Sequence, residues 1–281
     1  MKQAYCLSEF YMLSLWRKIS EPAILNETYG KKFLINDFFI DQNEVKGIDE
    51  EAYLHLENVR ETIDTFSHIF HSCFYVIDYY KKNFFHVSDD NTYFEGHSAD
   101  EIREMGYDFY FKYVPEEEIK MLVEINKVGF SFFNRLPDSE KPYYFISYNF
   151  HIRKDGYKML VNHKLTPLKF YNGRIWLALC AFSPAASNQV GRVYLRRHDS
   201  PDVNYYSLQN KKWGQFSFTR LSDLEKRVFL CAIRGASLKE TASEVFRSEA
   251  WVKKTRNKLL EMLDAHNFLE ATHLALQYKL L

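Results

Sequence analysis

The sequence predicts an α+β chain in two parts: an aromatic-rich antiparallel sheet with flanking helices, then an all-α domain of four short helices. The first observation is a change of hydrophobic period. Short apolar blocks separated by turn residues fill residues 72–185, whereas apolar residues recur at helical spacing from Leu221 onward. The second is the aromatic content, 20 Tyr and 24 Phe, most of it before residue 190. Such residues favour strands and supply large packing areas. The third is punctuation. Asp155-Gly156 and Asn172-Gly173 are hairpin signals, while Ser222 with Glu225 and Ser237 with Glu240 have capping-box spacing.

Residues 1–71 read as an N-terminal helical and extended segment that packs on the sheet domain. Phe10, Leu13 and Trp16 give Ser8 to Ile19 helical spacing, Phe33 to Ile40 is an apolar run, and Ile48 to His71 reads as one helix. Residues 72–185 form the sheet domain. Phe74 to Asp78 and Phe84 to Ser88 are strands around a turn at Tyr80 to Asn83. Ser98 opens a short helix, and a longer one runs from Glu116 to about Val128. Three further strands follow: Tyr143 to Arg153, Tyr157 to Leu168 and Arg174 to Phe182.

This order resembles a PAS domain. The resemblance rests on Phe94-Glu95-Gly96-His97-Ser98 with Glu101-Ile102, on Val114-Pro115-Glu116-Glu117, and on Arg153-Lys154-Asp155-Gly156. It implies a sensor of a small molecule or a dimerisation module, since a PAS fold does not fix function. Haem-type members place a histidine on the long helix, and Glu116 to Leu136 contains none. Photoactive flavin members need a loop cysteine, which Ser88 to Val114 lacks. No cofactor is expected, apart from an unidentified small organic ligand in the aromatic core. His151 and His163, on strands, are the polar groups that such a pocket would use, against the more ordinary reading of satisfied histidines. Residues 186–219 read as a linker. Ser183 to Ser187 is loop-like, and Gly191 to Leu195 and Tyr205 to Leu208 suggest a hairpin. Some Bacteroidetes-type regulators of similar order carry such a segment.

Residues 220–281 are the helical domain. Asn267 stands to Glu270 as Ser222 does to Glu225, and Gly235 marks the end of the first helix. The second helix runs from Ser237 to about Val245. After Phe246, Arg247 and Ser248, the third runs from Glu249 to Leu263 with Val252, Leu259, Leu260 and Leu263 as its apolar stripe. Lys253, Lys254, Asn257 and Lys258 fall largely elsewhere on the wheel. Two helices on a three-residue turn, the second basic at its start, form a helix-turn-helix. The competing reading is a bundle with a solvated lysine face.

The residues Leu221-Ser222, Glu225, Val228-Phe229, Gly235, Ser237, Lys239-Glu240, Ala242, Ser248-Glu249, Val252-Lys253, Arg256, Leu263, Asn267, Glu270-Ala271 and Leu274-Ala275-Leu276 run without a gap in a pattern. It resembles the DNA-binding domain of LuxR/FixJ-type regulators. The resemblance implies that Lys253, Lys254 and Asn257 face the major groove. It implies phosphate contacts for Lys239, Arg256 and Lys258, with Ser248 and Trp251 at the same surface, and a last helix that pairs two copies on DNA. Trp251 stands where the family has threonine, Arg247 and Thr241 where it has aliphatic residues, and Asp264 where it has glycine.

Formal net charge is zero, so DNA affinity must come from a local patch. Leu221 to Leu281 holds ten Lys plus Arg against eight Asp plus Glu. Cys6, Cys73, Cys180 and Cys231 are scattered, without metal-ligand or redox spacing, and no signal peptide or membrane span is present. A reduced, cytoplasmic protein with buried thiols is expected. Residues 1–190 lack the alternating strand–helix order of a phosphoacceptor receiver, and no catalytic motif is present. The expected function is a one-component DNA-binding transcription regulator and not an enzyme. Its expected partners are double-stranded DNA, a second copy of the chain, a small-molecule effector and RNA polymerase, with no membrane. The alternative is an interaction module whose helix-turn-helix binds a partner or a second copy.

Overall fold

The computed structural model describes residues 33–281 apart from 42, 71, 91 and 155. The helix expected over Ser8 to Ile19 lies outside the described residues, as does Cys6. The chain divides into two compact units. One comprises residues 33–185 with Val190–Phe216, the other Ala186–Gln189 with Ser217–Leu281.

The first unit is a mixed α and β layer structure around one eight-stranded sheet. The strands are β1 (Cys73–Asp78), β2 (Asn83–Val87), β3 (Tyr144–Lys154), β4 (Tyr157–Tyr171), β5 (Arg174–Pro184), β6 (Gly191–Arg197), β7 (Asp202–Ser207) and β8 (Lys212–Ser217), in the order β2-β1-β5-β4-β3-β6-β7-β8. Local chemistry sets the turns. Asp78 Oδ1 accepts the Tyr80 and Lys81 amides at 2.8 and 3.1 Å, an Asx-turn that reverses the chain between β1 and β2. Asn172 and Gly173 both take positive φ, as a tight β4–β5 hairpin demands.

The segment read as a linker is largely sheet. β6 pairs with β3 (Ile146 opposite Leu195) and β7 with β6, so this unit continues to Phe216. The alternation Val193, Tyr194, Leu195 was legible as a strand. Its pairing with a strand some 50 residues earlier was not, because β ladders are non-local.

Helices pack on the sheet. α1 (Glu51–Leu54) and α2 (Glu57–Ser67) replace the single helix expected over Ile48 to His71. Leu56 turns into the core at their junction, whereas Leu54 is 75% exposed. α3 (Ala99–Met105) starts in the expected capping box, with Ser98 N donating to Glu101 Oε2 at 2.7 Å. α4 (Asp108–Tyr113) leads into α5 (Glu116–Phe133), whose first turn carries three glutamates toward the positive end of the helix dipole. α5 runs a turn beyond Val128. Gly129 lets Ile146 of β3 approach so closely that a Cβ would lie 3.0 Å from its Cδ1. The apolar run before α1 is pinned inside, because Asn43 and Asn126 donate to the Phe38 carbonyl at 2.8 and 2.7 Å. Phe38 then packs on Tyr107, Tyr110 and Phe111.

The described residues of the second unit hold four helices: α6 (Asp223–Ile233), α7 (Leu238–Glu244), α8 (Glu249–Leu263) and α9 (Phe268–Gln277). Val228, Phe229, Ala242, Val252, Leu259, Leu263, Leu274 and Ala275 form its core. Among the described residues, no helix is long and apolar enough to cross a membrane, and no group of three or more His, Cys, Asp or Glu is placed to hold a metal ion.

Candidate functional site

Ser222 and Ser237 cap α6 and α7 in reciprocal boxes with Glu225 and Glu240, as their spacing predicts. The third pair departs from it. Asn267 accepts the Glu270 amide at 2.9 Å, but the Glu270 carboxylate reaches one residue further back, to His266 N at 2.8 Å. The α6 and α7 helices are clamped by Arg234 on the Glu244 carboxylate at 2.6 Å. Between α7 and α8 lie Phe246 and Arg247. Ser248 caps α8 by accepting the Trp251 amide at 3.2 Å, which fixes where the helix begins.

On α8, Val252, Thr255, Leu259 and Leu263 face inward, while Lys253, Lys254, Asn257 and Lys258 are exposed. Lys239 is exposed on α7. Lys253, Lys254 and Asn257 lie within one 100° sector of the helix, between its second turn and just past its midpoint, as a groove-facing surface requires. A cleft of about 390 Å³ runs between α6 and α8, lined by Trp251, Lys254 and Lys258 on one side and Ser222, Leu224 and Glu225 on the other.

Two of the residues read as phosphate contacts are engaged within the unit. Lys258 Nζ lies 3.0 Å from Glu225 Oε1, and Glu225 also accepts from Ser222 N and Oγ at 2.8 Å each. Burial works to raise the Glu225 pKa. The bonds from Ser222 and Lys258 outweigh it, so the carboxyl is held below its ordinary range. Arg256 turns inward. Its guanidinium donates to Ala236 O and Thr241 Oγ1, both at 3.4 Å, and lies 4.8 Å from the Phe268 ring centre. Burial depresses its pKa. Arg256 therefore joins α8 to the start of α7 and to α9.

The departures from the family pattern acquire reasons. Thr241 is fully buried, yet its hydroxyl donates to Ser237 O at 2.8 Å and accepts from Arg256, so the polar substitution is matched by the inward arginine. Asp264 caps α8 in the left-handed conformation (φ 49°, ψ 51°), which Asp tolerates better than most non-glycine residues. Arg247 and Trp251 come together at the turn, with the guanidinium 5.9 Å from the ring centre. Phe246 beside them is 81% exposed at φ 53°. Its side-chain type gave no sign of this conformation.

In the sheet unit the two flagged histidines separate. His151 lies near the surface, where its Nδ1 and backbone N meet the buried Glu118 carboxylate at 2.6 and 2.7 Å and tie β3 to the start of α5. His163, 1% exposed, sits in the aromatic interior with Nε2 2.7 Å from Tyr75 Oη, which in turn is 2.5 Å from Tyr110 Oη. Burial pushes the imidazole pKa down to about 3, so it is neutral. Cys73, Cys180 and Cys231 are buried free thiols.

No family model matches the chain, and no curated protein matches it. Among solved structures, it is similar to a VqmA bound to DPO, with 13% identity and a TM-score of 0.30, over 78% of this chain and 88% of that one. It is similar to a Vibrio cholerae VqmA dimer in the absence of target DNA, described among LuxR-type receptors. There the identity is 14% and the TM-score 0.27, over 78% and 88%. A phage VqmA–DPO complex shares 11% identity at a TM-score of 0.25, over 81% and 88%. Superpositions this loose carry no argument about this chain.

Proposed function

We propose that the chain is a one-component, DNA-binding transcription regulator with a LuxR/FixJ-type helix-turn-helix. The observation that carries this reading is α8. Its apolar stripe is buried, its start is fixed by Ser248, and its exposed face presents Lys253, Lys254 and Asn257 together. A helix fits the major groove, its early residues reach base edges, and cations beside them meet phosphates. Lys239, Trp251 and Lys258 flank that surface. Leu269 and Leu276, exposed two turns apart on α9, offer an apolar strip for a second copy. The dimer would read a palindrome, and RNA polymerase would be contacted from the bound state.

The sheet unit is the sensor in this reading. The partial order β2-β1-β5-β4-β3, with α3 to α5 inserted between β2 and β3, supports a PAS-like domain. A small molecule in its interior would shift the population of DNA-competent arrangements. The reading includes no enzymatic activity.

One observation favours the alternative, a partner-binding helix-turn-helix. Lys258 is neutralised by Glu225 and Arg256 is turned inward, which leaves fewer cations for phosphates. Selection of fragmented genomic DNA on the full-length protein separates the two. A palindromic motif that is enriched by the wild type and lost in Lys253→Ala/Lys254→Ala supports the regulator. No enrichment at low salt, with or without added cell extract, supports the partner-binding module.

A further inference from the structure

Trp251 departs from the family pattern without a partner inside the helical unit to account for it. Thr241 is matched by Arg256 and Asp264 by its cap geometry, whereas the Trp251 ring is half-buried and borders the cleft between α6 and α8. The Arg247 guanidinium lies 5.9 Å from its ring centre, at the outer limit of a cation–π contact. Residues three and four apart on a helix are neighbours, so Trp251, Lys254 and Lys258 form one row along the cleft. Leu224 of α6 belongs to the other wall. At about 390 Å³ the cleft falls within the size range of small-molecule sites.

The charges along this row are unbalanced. Glu225, the carboxylate on the α6 side, is engaged through both oxygens. Oε1 meets Lys258 Nζ at 3.0 Å, and Oε2 accepts from Ser222 N and Oγ at 2.8 Å each. Lys254 is exposed and makes no ion pair or hydrogen bond among the described residues. Lys254 and Lys258 also repel each other, as like charges four apart on a helix do. Two lysines against one carboxylate leave a single positive charge beside an indole face. A monoanion neutralises it, whereas a cation meets two lysines and a carboxylate already bonded. The charge alone is weak, because an exposed ion pair is screened by water and salt. Most of the affinity must therefore come from apolar area against Trp251 and Leu224.

We propose that this cleft binds a small planar aromatic carboxylate, with its ring between Trp251 and Leu224 and its carboxylate at Lys254 Nζ. Such an occupant covers Lys254, which the reading above assigns to the major groove. Occupation of the cleft and binding of DNA therefore exclude each other, and the anion shifts the chain toward its DNA-free form. That consequence rests on the DNA-binding reading; the site itself does not.

Three probes test the site on the full-length chain carrying ¹⁵N-labelled tryptophan, with affinities from titration calorimetry. 2-Naphthoate has the ring and the charge. 2-Naphthylmethylammonium keeps the ring and reverses the charge. Inorganic phosphate is an anion without a ring and stands in for a DNA phosphate. Naphthoate is expected to move the Trp251 indole N–H resonance, identified by its loss in Trp251→Phe, and the two controls to bind about tenfold more weakly. Trp251→Ala should weaken naphthoate binding about tenfold and Lys254→Gln about fivefold. The second variant changes an exposed side chain and stands in should the first fail to fold. With a selected duplex present, naphthoate should weaken DNA binding. The proposal is overturned if the resonance does not move, if the folded variants keep the wild-type affinity, or if naphthoate and duplex bind together without mutual weakening. It is also overturned if phosphate binds as tightly as naphthoate, which would make the cleft a seat for a DNA phosphate. The probes act without DNA, so a chain that binds naphthoate but no duplex refutes the DNA-binding reading alone, and one that binds duplex but no naphthoate refutes this site alone.

Discussion

Replacing Arg256 by alanine separates a fold-building cation from a DNA-binding one. Its guanidinium makes two bonds at 3.4 Å, to Ala236 O and Thr241 Oγ1, and lies 4.8 Å from the Phe268 ring centre. Bonds of that length are weak, about 0.5 kcal/mol each. A partly desolvated cation–π contact contributes about 1 kcal/mol. Burial disfavours the charge, in line with the depressed pKa, and offsets part of the sum. Alanine leaves no orphan at Thr241, whose hydroxyl still donates to Ser237 O. The net loss is about 1–2 kcal/mol, confined to the helical unit. Hydrogen exchange of full-length protein, resolved on peptides covering Leu221 to Leu281, should therefore quicken about 5- to 30-fold in the slowest amides of α6 to α9. The salt dependence of DNA binding should keep its slope. Unchanged exchange, together with a slope reduced by about one unit as for a lost phosphate contact, would refute the inward assignment of Arg256.

Three further outcomes are expected. Lys253→Ala/Lys254→Ala should leave the same peptides protected and reduce the preference for a selected duplex over a scrambled one by about 1–3 kcal/mol per lost base contact in fluorescence anisotropy; an unaltered preference would remove both lysines from the base-reading surface. Glu225 has a folded pKa below its ordinary 4.5, so its contribution is present above that value and lost as pH falls through the folded pKa. Acid titration of the helical unit followed by circular dichroism should show this loss, and Glu225→Gln should remove that part of the pH dependence. His163 has a folded pKa of about 3 against 6.5 when exposed, so the unfolded chain binds the extra proton between those values. Stability of the sheet unit should fall as pH drops from about 6.5 toward 3, and His163→Phe should flatten that limb in urea titrations at fixed pH; an unchanged limb would place the imidazole in water.

What was legible in the sequence was mostly local. Ser98, Ser222 and Ser237 each meet a glutamate three residues on, so cap and helix start were fixed by neighbours in the chain. Asn172-Gly173 required a hairpin wherever it stood. The same local reading went astray where a side chain had two choices within reach. Glu270 bonds His266 N and not Asn267 N, and Leu56 turns inward to split a helix that composition alone would continue. Pairings across the chain were out of reach. Lys258 and Glu225 are 33 residues apart, Arg256 and Thr241 15, and no period connects them.

The sheet interior sharpens the point, because its chemistry depends on pairs that no window contains. Tyr75 and Tyr110 are 35 residues apart, and Tyr75 and His163 are 88 apart. Each alone reads as an ordinary core or surface residue, and for His151 the satisfied-histidine reading holds, with Glu118 as its partner. His163 differs in that the β1–β5–β4 ladder sets Tyr75 against one ring nitrogen and leaves the other unmatched among the described residues. Strand alternation tells which residues point inward, but not which polar atoms they bring face to face. A polar group that packing leaves unsatisfied is therefore a property of the fold.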